Sequence, residues 1–429
     1  MIQGSLFGFK LDRTDSPLTS FAGLPLLATL AHSLGVWGRL QRLLPRRRRR
    51  SGYAAPEKVL SVALLQAAGG TALDDIDRLR GDVGLSRLLG RRVPSAETLG
   101  RFLRSASGSM LRGLTRSNHA LVRTILRRRP LRTLTIDVDA TLIESQKREA
   151  RRTYKGFRGY DPLLAHIAQL GLVLTGVFRE GNASPRSHAH AFLARCLRLV
   201  RGKAKIIRLR SDSAWYEARV LDRCQKEGVE FAITASRDTA VEKLIEELPE
   251  QVWQPLPLRF GEECQWAETV HTLECSRYAY RLIVLRRKAR QPDLFDGLYF
   301  HHAVITNIES YSGPAILRWH RGRMGSENLL KELKEGFAVR HLPCGLLQAN
   351  AAYFQIGILA HNLVQALKLL TLPRSWQYLR VKTLRFRLLS VAGLVTRHAR
   401  SLQLKLPASY PHFLLFRKAR WRSIGLAAE

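Results

Sequence analysis

The sequence predicts a mixed α/β chain: a helical N-terminal region, a core that opens with strands and closes with helices, and a β-rich insertion within that core. Three observations carry this. Hydrophobic spacing changes from helical to alternating at Pro130, strands and helices then follow one another to about residue 235, and a mostly extended stretch precedes helical sequence that resumes near residue 311. At 429 residues and 45% hydrophobic, the chain can bury a large core, and it divides into units over residues 1–129, 130–235, 236–310 and 311–429.

Residues 56–107 read as short helices separated by turns: "PEKVLSVALLQAAGG", "ALDDIDRLRGD", "LSRLLGRR" and "SAETLGRFLRS". In the last, Ser95 is an N-cap and Glu97 suits the first turn. Arg101 and Arg104 project from a helix whose Leu99, Phe102 and Leu103 pack inward. The unit resembles a helix-turn-helix, with a plain helical packing domain as the alternative.

After Pro130, "TLTIDVDATL" alternates. Leu134, Ile136, Val138 and Ala140 point one way, and Thr135, Asp137, Asp139 and Thr141 the other. "LLAHIAQLG" and "LVLTGVFREGN" read as strands joined by a glycine turn, and "HAHAFLARCLRLV" as a helix. The next segment gives a βαβ unit: a strand through Leu209, Asp212 just beyond it, a helix to about Lys226, and a strand from Val229 to Thr234. "AETVHTLEC", "RYAYRLIVLRRKA" and "LYFHHAVITNI" are the strands of the insertion. Helical sequence returns in "RWHRGRMGSENLLKELKEGF" and "NAAYFQIGILAHNLVQALKLL", followed by a basic C-terminal part read as short helices.

Lys plus Arg number 70 against 35 Asp plus Glu, a net charge of +35. Such an excess spread through globular sequence points to a polyanion, nucleic acid first and not a membrane surface. Arg46–Arg50 and Arg127–Arg129 are the longest basic tracts, either phosphate contacts or solvated linkers. The apolar runs 21–40 and 353–370 contain charged and amide side chains that are costly in hydrocarbon, so both read as buried helices. The first fifteen residues carry no secretory pattern. Five scattered cysteines without a CxxC pair argue for reduced thiols and against structural zinc.

The segment from Arg318 to Phe337 holds the most specific signal. On a continuous helix, Arg323 lies about 40° from Glu327 and Lys334 about 20°, making one stripe at the edge of an apolar face formed by Leu329, Leu330, Leu333 and Phe337. A solvated charge stripe is the plain alternative. Elsewhere in the core order, carboxylates fall at the end of the first strand, at Asp139, and after the fourth, at Asp212.

That arrangement resembles an RNase H-like nuclease core, and the residues resemble the DDE transposases of bacterial insertion sequences with a Tyr-Arg-Glu-Lys signature. Arg323, Glu327 and Lys334 match that signature in register, and His320 stands at its Tyr position. The likeness also covers "TIDVDAT", "RLRSDSAWY", "EGNASP" and "NAAYFQIGILAHNLV". It implies catalytic and metal-binding Asp139, Asp212 and Glu327, with Asp137 as the alternative first ligand. It also implies two Mg²⁺ ions, or Mn²⁺, and phosphate contacts from Arg323, Lys334 and His320, with Arg101 and Arg104 reading DNA. Its partners would be the element's terminal inverted repeats and target DNA, engaged by a homodimer in a bacterial cytoplasm, at the nucleoid. Trp253, Trp266 and Tyr280 are candidates to stack on a flipped base, or packing residues. A nuclease that does not join strands, and a non-catalytic DNA-binding derivative, are the competing functions.

Overall fold

The computed structural model describes residues 11–45, 52–184, 186–256, 264–288 and 299–427. The opening ten residues and the Arg46–Arg50 tract lie outside the described residues.

Eight strands build the core: β1 (Thr133–Ala140), β2 (Leu163–Ile167), β3 (Leu172–Val177), β4 (Ile206–Ser211), β5 (Glu230–Thr234), β6 (Cys264–His271), β7 (Tyr280–Lys288) and β8 (Tyr299–Thr306). With the short strand Gln254–Pro255 they form one nine-stranded sheet, in the order Gln254–Pro255, β6, β7, β8, β5, β4, β1, β2, β3. β1, β4 and β5 run parallel, and β2 is antiparallel to both β1 and β3. The first five strands thus lie in the order 3-2-1-4-5 of an RNase H-like core. The β-rich insertion lengthens the same sheet, because β8 pairs antiparallel with the outer edge of β5.

The helices used below are α1 (Ala55–Ala68), α2 (Ala96–Arg104), α3 (Gly108–Arg128), α4 (Ala189–Val200), α5 (Ala218–Lys226), α6 (Gly313–Arg321), α7 (Met324–Lys331), α8 (Leu347–Thr371) and α9 (Phe413–Gly425). Serine side chains cap α2 and α3, Ser95 accepting from Thr98 N and Ser107 from Met110 N. Gly35, at φ 69°, splits the apolar run 21–40 into the helices Leu24–Ser33 and Val36–Leu43. Among the described residues no single helix is long and apolar enough to cross a membrane.

α8 is buried along nearly its whole length, and its polar residues serve the sheet edge. Asn362 accepts from Val173 N at 2.9 Å and donates to Val173 O at 2.8 Å and to Asn118 Oδ1 at 2.7 Å. Gln355 donates to Gly176 O at 2.8 Å, and the His361 Nε2 lies 2.9 Å from Gly171 O. These side chains take up backbone groups that the edge strand β3 would otherwise leave unpaired in the interior.

Three features depart from the sequence reading. β1 is buried on both faces, with Thr135 and Asp137 as enclosed as Ile136, because a central strand is covered on each side. A small sheet of Ile143–Glu144, Arg151–Arg152 and Arg158–Tyr160 intervenes between β1 and β2. The C-terminal part holds a hairpin as well as helices: Gly393–His398 pairs with Ser401–Lys405 and with Leu18–Thr19. Its turn uses Ala399 and Arg400 at φ 44° and 65°, without the glycine or asparagine that marks such turns in sequence.

Candidate active site

The parallel register of β1 and β4 sets Asp137 opposite Arg210. Two residues further along stand Asp139, near the end of β1, and Asp212, one residue past β4, so the adjacent strand ends bring the two carboxylates together. Asp212 caps the turn Ser213–Trp215, its Oδ1 accepting from Ala214 N at 3.1 Å. Arg323 Nη1 lies 3.4 Å from Asp139 Oδ2 and 3.9 Å from Asp212 Oδ2, and this buried nitrogen makes no hydrogen bond.

Glu327 occupies the first turn of α7, which packs against β1. Burial pushes the Asp139 carboxyl up to about 6. Arg323 opposes the rise, while Asp212 and Glu327 add to it. The three acids therefore share one electrostatic neighbourhood. Among the described residues no three carboxylate, His or Cys groups are drawn together as a ready metal cage, and the Arg323 guanidinium stands between the two aspartates. The donor set nevertheless fits a hard divalent cation: three oxygen acids, with Asp139 raised first by burial and further by the charges of the other two.

Asp137, the alternative first ligand, is engaged by an arginine. Both of its oxygens are taken by Arg210, from Nε at 2.6 Å and Nη2 at 2.8 Å, and it is fully buried. Arg210 Nη1 also donates to Trp319 O at 2.7 Å, which ties the end of α6 to the central strands. At Gly322 a Cβ would stand 2.5 Å from that same Nη1, so the chain turn between α6 and α7 needs glycine's small profile.

His320, at the Tyr position of the signature, points into the protein. It is 6% exposed, and its Nε2 lies 3.1 Å from Ser211 O and 3.4 Å from Thr234 Oγ1. Burial drives it down to about 4, leaving a neutral ring that braces the strand end carrying Asp212.

The stripe of Arg323, Glu327 and Lys334 does not lie on one continuous helix. α6 ends at Arg321, α7 starts at Met324, and Glu332–Gly336 form a π-helical turn. Such turns shift the side-chain direction and recur at functional sites. Lys334 Nζ donates to Thr141 Oγ1 at 2.8 Å and Leu142 O at 3.2 Å, the two residues following β1. Burial and then Arg340 lower the Lys334 ammonium, against Glu335 and Asp139. Lys334 therefore reaches the site through the loop beside Asp139.

Arg101 and Arg104 stand apart from the carboxylates. Arg101 is exposed and pairs with Glu97 at 3.6 Å. Arg104 lines a cleft of 700 Å³ with Lys147, Arg340 and His341. The aromatic candidates of the insertion are packing groups: Trp253 lies against Arg286, Trp266 against Gly313, and Tyr280 is 3% exposed with its hydroxyl on Asp222. The Arg127–Arg129 tract is also engaged, with Arg128 on Leu426 O and Arg129 on Leu369 O.

The sequence matches the family described as Transposase DDE domain group 1 over residues 9–423. The chain belongs to the DDE transposases of that group. It is thus a DNA-binding enzyme of DNA cleavage and strand transfer, in a family that works with divalent metal ions. A cryo-EM structure of the piggyBac transposase synaptic complex with hairpin DNA is similar at 12% identity and a TM-score of 0.38, covering 79% of this chain and 75% of that one. No curated protein matches the sequence.

Sequence reasoning missed Arg210, Thr141 and Gly322 in this transposase. A signal for the first was present: "IDVDA" and "RLRSD" each hold a charged residue two places before the site aspartate, which on paired parallel strands makes an ion pair directly behind the two acids.

Proposed function

We propose that Asp139, Asp212 and Glu327 are the catalytic carboxylates of a cut-and-paste transposase, and that they bind two divalent ions, Mg²⁺ or Mn²⁺. The observation that supports this most is the shared Arg323 contact of Asp139 and Asp212 at adjacent strand ends, with the charge of Glu327 acting on Asp139. When bound, such ions would polarise the scissile phosphodiester, activate water or a 3′-hydroxyl, and offset charge on the departing oxygen.

The chain's own groups do the positioning. Arg323 carries a planar fork beside the two aspartates and would turn it toward phosphate oxygens of the DNA. Lys334 supplies a point charge held over the loop after β1. Arg210 fixes Asp137, Trp319 and thereby the helix entry that presents Arg323. The DNA bound there is the element's terminal inverted repeat and then the target. A homodimer brings two ends together, and α2 reads the repeat through Arg101 and Arg104.

A strand-transfer assay with labelled element ends and a supercoiled target tests this reading. Joined products in Mg²⁺ support it. Cleaved ends that never join would assign the site to a nuclease instead.

A further inference from the structure

α3 and α4 carry a second concentration of positive charge, away from the carboxylates. Along α3, Arg112, Arg116, His119 and Arg123 recur at steps of four, three and four residues, all within about 40° of one line on the helix. Arg195 and Arg198 of α4 face them across a cavity of 570 Å³, which is walled by Gly176 at the end of β3 and by Gln355 of α8. Neither helix contains an Asp or Glu, and no acidic residue lines the cavity.

A basic helix face is ordinarily just solvated surface. Two observations set this one apart. Elsewhere even exposed arginines find acids: Arg91 with Glu57, Arg101 with Glu97, Arg151 with Glu180 and Arg237 with Glu242. The five cavity arginines, all exposed, make no ion pair or side-chain hydrogen bond among the described residues. Five like charges gathered around one concavity make a positive potential that draws an anion. His119 adds no further charge. Burial, with Arg195 and Arg123, drives it down to about 4, and its Nε2 lies 3.0 Å from Thr175 Oγ1.

We propose that this cavity is a phosphate-binding site that grips the DNA backbone beyond the point of cleavage, without reading base sequence. Guanidinium forks suit phosphate oxygens, and each can hold one in two hydrogen bonds. From Arg112 to Arg123 the helix rises about 16 Å, which matches roughly five steps along one DNA strand. Its place relative to the cut follows from strand register. Asp139 pairs with Leu164 and Leu164 with Gly176, so the cavity wall lies two strands from Asp139, about 10 Å away. β3 runs parallel to β1, and both carry these residues at their C-terminal ends. A duplex cut at Asp139 can therefore continue toward the arginines.

The assignment rests on the reading that DNA is cut at Asp139, and the test separates the two. Binding of a 30-base-pair duplex extending past the element end is measured against salt for the full-length protein and for Arg112→Ala/Arg116→Ala/Arg195→Ala/Arg198→Ala. The slope of log K against log salt should fall by about 3 to 4, near 0.9 for each phosphate that is no longer neutralised. The same four positions as Lys should keep most of the slope, and thermal melting verifies that both variants fold. Glu327→Gln serves as the second arm: it should lose cleavage while keeping the parent slope, so a failure of the catalytic reading leaves the slope result intact. A slope in the folded Ala variant within one of the parent value overturns the proposal. Inorganic tripolyphosphate distinguishes the source of the anion: it should compete with DNA in the parent. Tight tripolyphosphate binding combined with an unchanged DNA slope would instead make the cavity a small-anion site and reject the DNA assignment.

Discussion

Arg210 holds Asp137 in a two-pronged, fully enclosed ion pair, Nε to Oδ1 at 2.6 Å and Nη2 to Oδ2 at 2.8 Å, directly behind the two aspartates of the site. Removing one partner strands a buried charge, which costs on the order of 3 to 5 kcal/mol. Arg210→Ala should therefore lose that much stability in urea unfolding. Asp137→Asn should be destabilised too, while its affinity for Mn²⁺ stays close to that of the parent. Loss of Mn²⁺ binding in Asp137→Asn would return that residue to the ligand set.

Asp139 should show the opposite pattern. Its carboxyl is raised to about 6 in the folded protein, chiefly by burial. The folded state then binds more protons than the unfolded chain between pH 4 and 6, so its contribution to stability falls as pH rises through that window. Asp139→Asn removes the charge, and should gain on the order of 2 kcal/mol at pH 7 in the absence of metal while abolishing cleavage. Equal or lower stability at pH 7 would contradict the electrostatic account of the site.

Arg323 lowers the Asp139 carboxyl, so its removal should move that group further up. In Arg323→Ala, the acid limb of the cleavage rate should shift to higher pH, and the shift should exceed that in Lys334→Ala, whose ammonium is tied to Thr141 and Leu142. Matching acid limbs in the two variants would remove Arg323 from its place between the aspartates.

Asn362 offers a test of the fold. Asn362→Leu keeps the volume but leaves Val173 N and Asn118 Oδ1 without a partner, and Val173 O with only the longer bond from Asn118 Nδ2 at 3.3 Å. Each stranded group costs about 1 to 3 kcal/mol, so chemical denaturation should report a loss of several kcal/mol. The amide of Val173 should exchange with solvent far sooner than in the parent.

Much of the site could be read from sequence because strands state their facing residues locally. The alternation of "TLTIDVDATL" placed Asp139 at a strand end, and "RLRSD" placed Asp212 after another. What could not be read was which acid of β1 is engaged, since that depends on Arg210 lying opposite Asp137 in a distant strand. The spacing of Arg323, Glu327 and Lys334 was read as one helix because Gly322 and the π-helical turn leave no mark on hydrophobic period. His320 illustrates the same limit. Its type suggested a donor, but its burial against Ser211 and Thr234 is a tertiary fact. The polar residues of α8 excluded a membrane helix by composition, and their service to the β3 edge became visible only with the sheet.

The central claim is that Glu327 completes a metal-binding triad with Asp139 and Asp212. Glu327→Gln keeps the side chain's size and hydrogen bonding but removes the charge a divalent ion requires, and Glu327 is exposed, so folding should survive. The decisive measurement is Mg²⁺-dependent cleavage of a labelled element end by Glu327→Gln against the parent. The account predicts a fall of at least about a thousandfold with end binding retained. Cleavage near the parent rate would show that the acid on α7 is only a surface charge.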